Sequence, residues 1–201
     1  MKQQHRSFPA KALSSVLVLI VITIIVPASA TDTDGYSYGG DEDVSFAERL
    51  WDALAEERLV GDNVLDSSPY PGMHPHGAVL EVLTGTVTID NREAKVITKR
   101  SYTGDDADVV TVINNRLRFL NDVTVMFKRE AGYDPENKDW FWAKYNIDGS
   151  LDATPNGIKL AGRIAKGKRK GCIACHRRAE GDDFMFVELS LIHISEPTRP
   201  Y

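Results

Sequence analysis

The chain has 201 residues, with 24 basic and 29 acidic side chains and a net charge of −5. Setting aside residues 1–30 and 189–201, for reasons given below, leaves 20 basic and 28 acidic residues and a net charge of −8. That acidic surplus argues against nucleic acid as a general partner, and the remaining length suits one domain with a modest core.

The first thirty residues open with Lys2, Arg6 and Lys11, continue with the apolar run LSSVLVLIVITIIVP and close on Ala28-Ser29-Ala30. A basic start, an apolar stretch and a small-residue cleavage site have the form of a secretory signal peptide. The run is shorter than the ~20 residues a membrane anchor needs, and no cysteine at the cleavage site offers a point for lipid attachment. The expected mature chain is soluble and periplasmic, starting near Thr31. Residues 31–44 are polar, acidic and glycine-containing, and read as a flexible leader to a domain spanning 45–188.

Structure is expected to begin at Ser45, which has capping-box spacing to Glu48. Phe46, Leu50, Trp51, Leu54 and Leu59 recur with helical period and Gly61 offers a stop, with Trp51 read as a core anchor. From His76 the pattern changes. GAVLEVL (77–83), TVTID (86–90), AKVITKR (94–100), VVTVI (109–113), DVTVMFKRE (122–130) and WFWAKYN (140–146) read as strands separated by turn-like segments. The stretch 157–178 reads as helix or helical turns. The predicted fold is α+β: a mainly antiparallel sheet with an N-terminal helix and a C-terminal helical segment. The last stretch, LSLIHISEPTRPY (189–201), reads as the translation of a sequencing adapter, so His193 is not considered as a ligand.

The C-terminal helical segment carries both cysteines of the chain, in Cys172-Ile-Ala-Cys175-His176. Four chemistries compete for C-x-x-C-H. A disulfide across two residues gains little from loop closure, and a thioredoxin-like pair wants a βαβ context that is absent. Structural zinc needs four ligands where the motif offers three. Covalent c-type haem attachment uses every residue: the thiols of Cys172 and Cys175 join the vinyl groups, and His176 is the axial ligand of the iron. Export agrees with it.

The motif sits late in the chain. Few residues follow that offer a second axial ligand, Met185 among them. Met73, Met126, His74 and His76 reach the iron only from the sheet portion and read more simply as core or loop residues. The expectation is five-coordinate iron with an open distal face, whose polarity and access decide between ligand binding and electron transfer. Around the motif, Lys159, Arg163, Lys166, Lys168, Arg169, Lys170, Arg177 and Arg178 form a basic stretch in an acidic domain. It reads as a docking face for an acidic redox partner, as a set of partners for haem propionates, or as a solvated basic helix.

HPHG (74–77), VITKRSY (96–102), VTVMFKREAGYDPENKDWFWAKYNIDG (123–149), GCIACH (171–176) and DDFMFVE (182–188) occur in that order. From about Pro69 to Glu188 the chain resembles the cytochrome P-460 / cytochrome c′-beta family of exported mono-haem proteins. The resemblance implies an antiparallel β fold with flanking helices, a homodimer, and one covalent, five-coordinate haem c. Members of the P-460 kind oxidise hydroxylamine and carry an extra bond between a lysine and a haem meso carbon. Those of the c′-beta kind lack that bond and bind nitric oxide or carbon monoxide. In VITKRSY the residue matching the family's lysine is Lys99. Lys95 faces the same way under period-2 alternation and is its rival, and an exposed strand lysine is the plain alternative. Phe141 and Trp142 lie in the matched block, as pocket or core residues.

Two functions from different classes follow. One is a haem enzyme acting on hydroxylamine, with nitric oxide involved, that passes electrons to an external redox partner. The other is a nitric-oxide-binding cytochrome. A plain electron carrier with a sixth ligand is the third, weaker alternative.

Overall fold

A computed structural model describes residues 30–31, 37–166, 171–179 and 184–186. The signal-peptide assignment (apart from Ala30) and the adapter assignment therefore fall outside the described residues. A short antiparallel pair, β1 (Ala30–Thr31) and β2 (Ser37–Tyr38), precedes helix α1 (Asp41–Glu56). Then come β3 (Tyr70–Pro71), β4 (Val79–Ile89), β5 (Arg92–Tyr102), helices α2 (Val109–Asn114) and α3 (Arg116–Phe119), and β6 (Leu120–Lys128). Strands β7 (Trp140–Tyr145) and β8 (Ala161–Gly162) and the short helix α4 (Cys172–His176) complete the fold. Strands β3 to β8 form one sheet in sequence order, every neighbour antiparallel. The fold is α+β, as the sequence pattern predicts.

Both faces of this sheet are covered, which explains why its central strands are so rich in apolar residues. Successive side chains point to opposite faces, so neighbours in the sequence belong to different layers. Val96, Val125 and Phe141 pack under Phe46, Leu50 and Leu54 of α1. Ile97, Met126 and Trp142, each one residue further on, pack on the other side against Ile173 of α4 and Phe184. Trp51 is a partly buried flank of the first layer, with its ring 4.9 Å from that of Tyr145.

Three local expectations are corrected. Helix α1 starts at Asp41, inside the stretch read as leader, and Ser45 lies in its interior, its hydroxyl accepting from Arg49 at 2.9 Å. Asp41, Glu42 and Asp43 occupy the first turn, where carboxylates interact favourably with the exposed N–H groups and helix dipole. The run VVTVI is helix α2, not a strand. Asp108 accepts from the Thr111 amide at 2.8 Å while Thr111 Oγ1 accepts from the Asp108 amide at 2.9 Å, a reciprocal cap that outweighs the β propensity of valine. The third concerns residues 157–166. They form no helix but bridge to Ala153, pair with β7 as the edge strand β8, and turn, with Gly157 and Gly162 at φ of 81° and 100°. A methyl group at Gly162 would run into the Asp43 carboxylate, so the glycine lets α1 dock on the sheet edge.

That docking leaves Asp43 partly desolvated, which raises its pKa from 3.8 to about 6 against the opposing pull of Arg163. A carboxyl whose folded pKa is raised binds its proton more tightly in the native state. Wild-type stability should therefore fall as pH rises from about 4 to about 6. Asp43→Asn should remove that fall and exceed the wild type in urea midpoint above pH 6, with the two converging below pH 4; parallel curves across this range would refute the assignment.

Candidate functional site

The face of the sheet turned away from α1 carries the chemistry. β5 contributes Ile97 and Lys99, β6 Thr124 and Met126, and β7 Trp142, with Lys99 opposite Thr124 and Met126 opposite Trp142 in the ladder. Helix α4 lies over this face and adds Cys172 and His176 to a cavity of about 40 Å³. His76, from the loop before β4, closes its side.

His176 is oriented from behind. Its Nδ1 lies 2.7 Å from the main-chain oxygen of Phe184, and since a carbonyl only accepts, Nδ1 carries the proton and Nε2 keeps its lone pair. That is the arrangement by which a metal-binding histidine presents Nε2 to its metal. Its ring packs edge-on against Trp142 at 5.0 Å and His76 at 5.9 Å. Burial, with the charge of Lys99 adding to it and the Phe184 carbonyl opposing, lowers its pKa and keeps the imidazole neutral.

Lys99 is buried, only 9% exposed, whereas Lys95 on the same face of β5 is exposed. The irregularity in the β5–β6 ladder falls between Ser101 and Tyr102, beyond both lysines, so period-2 alternation holds between them. Burial separates the two candidates where parity does not. Lys99 Nζ lies 2.5 Å from His76 Nδ1. Its pKa is lowered from 10.5 to about 8, chiefly by burial, with Asp122 and Cys172 opposing and Lys144 reinforcing. His76 is lowered to about 4 by burial and then by the charges of Lys99 and His176.

Cys172 is half-buried and Cys175 exposed, and the two thiols are not joined. Burial raises the Cys172 pKa, an effect reduced by the nearby Lys99 charge. Among the described residues no three His, Cys, Asp or Glu side chains gather as a metal ion would need. Of the other axial candidates, Met73 and His74 are exposed, while Met126, Met185 and His76 line the cavity. Phe141 belongs to the α1 layer and Trp142 to the cavity.

The basic stretch divides. Arg163 donates to the Tyr133 carbonyl at 2.6 Å, Lys159 to the Leu151 carbonyl at 3.0 Å, and Lys166 is buried in an ion pair with Asp134 at 2.6 Å. Arg177 and Arg178 are exposed, and Lys168, Arg169 and Lys170 lie outside the described residues. Three of the eight thus brace the segment that leads to α4 instead of facing a partner.

The residues fit a haem by their donor chemistry. Two unjoined thiols and an oriented imidazole share one short helix above an apolar sheet face, and the buried Trp142 Nε1 has no protein partner there. The cavity is smaller than a macrocycle. Among the described residues, α4 and residues 184–186 are held on the six-stranded sheet by apolar packing, with no main-chain hydrogen bond to it.

The family model for cytochrome P460 matches residues 74–187, more than half of the chain. The chain belongs to the cytochrome P460 family. It is therefore a haem-binding cytochrome, and the matched span holds every residue of the site just described. No curated protein and no solved structure matches it.

Sequence reasoning assigned no role to His76 in the cytochrome's site, though it quoted HPHG, and left Trp142 undecided. Neither position carries a periodic signal: one sits in a loop, and the other is one of three consecutive aromatics. A buried lysine with a lowered pKa also has a measurable cost. Between pH 8 and 10.5 the unfolded chain binds the extra proton, so stability should rise with pH across that window, the penalty being complete below 8. In the haem-free chain Lys99→Met should remove this dependence and raise stability at pH 7 by roughly 1–3 kcal/mol. Equal urea midpoints for both proteins at pH 7 and pH 10.5 would show that Lys99 is solvated.

Proposed function

We propose that this cytochrome is an exported c-type haem protein of the hydroxylamine-oxidising kind. Cys172 and Cys175 hold one haem through thioether bonds, His176 Nε2 is its axial iron ligand, and Lys99 makes the further bond to the macrocycle. The observation that carries this reading is the placement of Lys99: a buried amine on the sheet face that shares its cavity with Cys172 and His176. A lysine with no role at a haem would be expected in solvent, as Lys95 is.

When bound, haem would supply a redox-active iron able to take electrons from hydroxylamine for an external redox partner. The chain supplies the rest. Phe184 holds the His176 tautomer, so that Nε2 faces the site. Ile97, Met126 and Trp142 form an apolar wall that keeps bulk water from the iron. Lys99, once bonded, fixes the macrocycle against β5 and alters its electronic character.

A second reading rests on the same wall. Ile97, Met126 and Trp142 offer an apolar surface suited to an uncharged diatomic ligand, so a nitric-oxide-binding protein without turnover is the alternative. Expression with a haem-maturation system separates the two. The first reading expects a red-shifted ferrous absorption band and hydroxylamine-dependent reduction of an artificial electron acceptor. Lys99→Ala should return the band to that of an ordinary five-coordinate haem and lower turnover at least about tenfold, while Lys95→Ala changes neither. An unshifted band in the wild type with tight nitric oxide binding would favour the second reading, and a low-spin six-coordinate spectrum would point to an electron carrier.

A further inference from the structure

We propose that His76 is the positioning residue for Lys99: its Nδ1 accepts a hydrogen bond from Nζ and holds the amine against the haem site. The proposal rests on the reading that Lys99 bonds to the haem. The contact is short, 2.5 Å, and His76 is the one hydrogen-bond partner of the Lys99 side-chain amine among the described residues. Asp122, the carboxylate whose charge acts on Lys99, is engaged by other partners. Asp122 accepts from Asn121 at 2.8 Å and pairs with Lys144 at 3.3 Å, which in turn pairs with Asp152 at 2.9 Å.

The loop that carries His76 is built to hold it. The Ala78 amide donates to the Tyr102 carbonyl at 3.0 Å, Gly72 to Ala78 at 2.7 Å, and His76 itself to Met73 at 2.9 Å. Gly77 at φ 94° lies against the Tyr102 carbonyl, closer than a residue with a Cβ could come. These contacts join the loop to the far end of the strand that carries Lys99. The imidazole and the amine are thus set by one rigid frame, which removes rotamer freedom from a long side chain.

The choice of an imidazole has chemical sense. A free lysine side chain has four rotatable bonds and would sample the cavity broadly. A carboxylate partner would fix it but hold it as the unreactive ammonium ion. A neutral ring nitrogen accepts one N–H and adds no charge, which leaves the nitrogen's remaining positions for bond formation. Cross-linking replaces one N–H of Lys99 and one meso C–H by a single N–C bond. The two electrons and two protons released reduce one molecule of hydrogen peroxide, the oxidant class the step needs, to two molecules of water. What His76 contributes is the aim of the nitrogen.

The test uses the full chain, loaded with haem in cells that carry a maturation system and treated with hydrogen peroxide. After proteolysis, mass spectrometry gives the fraction of haem peptide that also contains Lys99, and the ferrous band is recorded alongside. His76→Phe keeps the ring bulk without an acceptor, and His76→Leu is a second acceptor-free variant in case one fails to load. His76→Asn keeps an acceptor oxygen near the position of Nδ1. The ratio of bonded to unbonded haem should fall about tenfold in the acceptor-free variants, the scale of one lost hydrogen bond. It should stay near the wild-type value in His76→Asn, with thioether attachment at Cys172 and Cys175 equal in all. Wild-type bonding in His76→Phe and His76→Leu would overturn the role of His76 and leave the Lys99 reading intact. An equal fall in His76→Asn would overturn the hydrogen bond as its cause. A wild type without the Lys99 bond would overturn both.

Discussion

A strand buried on both sides must choose, at every residue, which layer each side chain serves, and β5 makes that choice for the whole protein. Val96 and Thr98 go to the α1 side, while Ile97 and Lys99 go to the other. A slip of one residue would exchange them and drive the Lys99 amine under α1, among Leu50 and Leu54, while Val96 left the core. Register is therefore held by the cost of burying an ammonium ion among aliphatic side chains. The same alternation across β6 and β7 delivers Met126 and Trp142 to the second face. The position of the cavity is thus a consequence of how α1 packs on the first face.

Around the cavity the electrostatics are arranged to avoid ion pairs. Lys99 meets a neutral imidazole, His176 is held neutral by burial against the opposing pull of a main-chain carbonyl, and Cys172 is kept a thiol by desolvation. The carboxylates nearby are satisfied elsewhere: Asp122 by Lys144, Asp134 by Lys166. A buried amine with no anionic partner destabilises the fold, and such strain is commonly retained where function requires the group.

How much of this was legible in the chain depends on the range of the interaction. The C-x-x-C-H motif was legible because its three functional groups are neighbours in sequence, on one turn of helix. The strands were legible where both faces are buried, since their apolar runs are nearly continuous. Helix α2 was misread because valine's β preference was weighed without the Asp108–Thr111 cap. The start of α1 was misread because Ser45 matched a cap that the acidic first turn made unnecessary. Residues 157–166 were misread because a two-residue edge strand leaves almost no periodic signal. Lys95 and Lys99 have the same parity on β5, so alternation treats them alike. What distinguishes them is which end of the strand α4 covers, and that is a tertiary fact. The contacts of His76 with Lys99 and of Trp142 with His176 join loop to strand and strand to helix, over separations that no local pattern encodes.

In the function proposed above, one face of the sheet brings His176 and Lys99 to a single haem. A crystal structure of the haem-loaded protein tests it most directly. The expected result is a macrocycle on the β5–β7 face opposite α1, thioether bonds at Cys172 and Cys175, His176 Nε2 on the iron, and Lys99 Nζ bonded to a meso carbon. A haem whose nearest lysine is Lys95, or one bound with Lys99 turned away from it, would contradict the account.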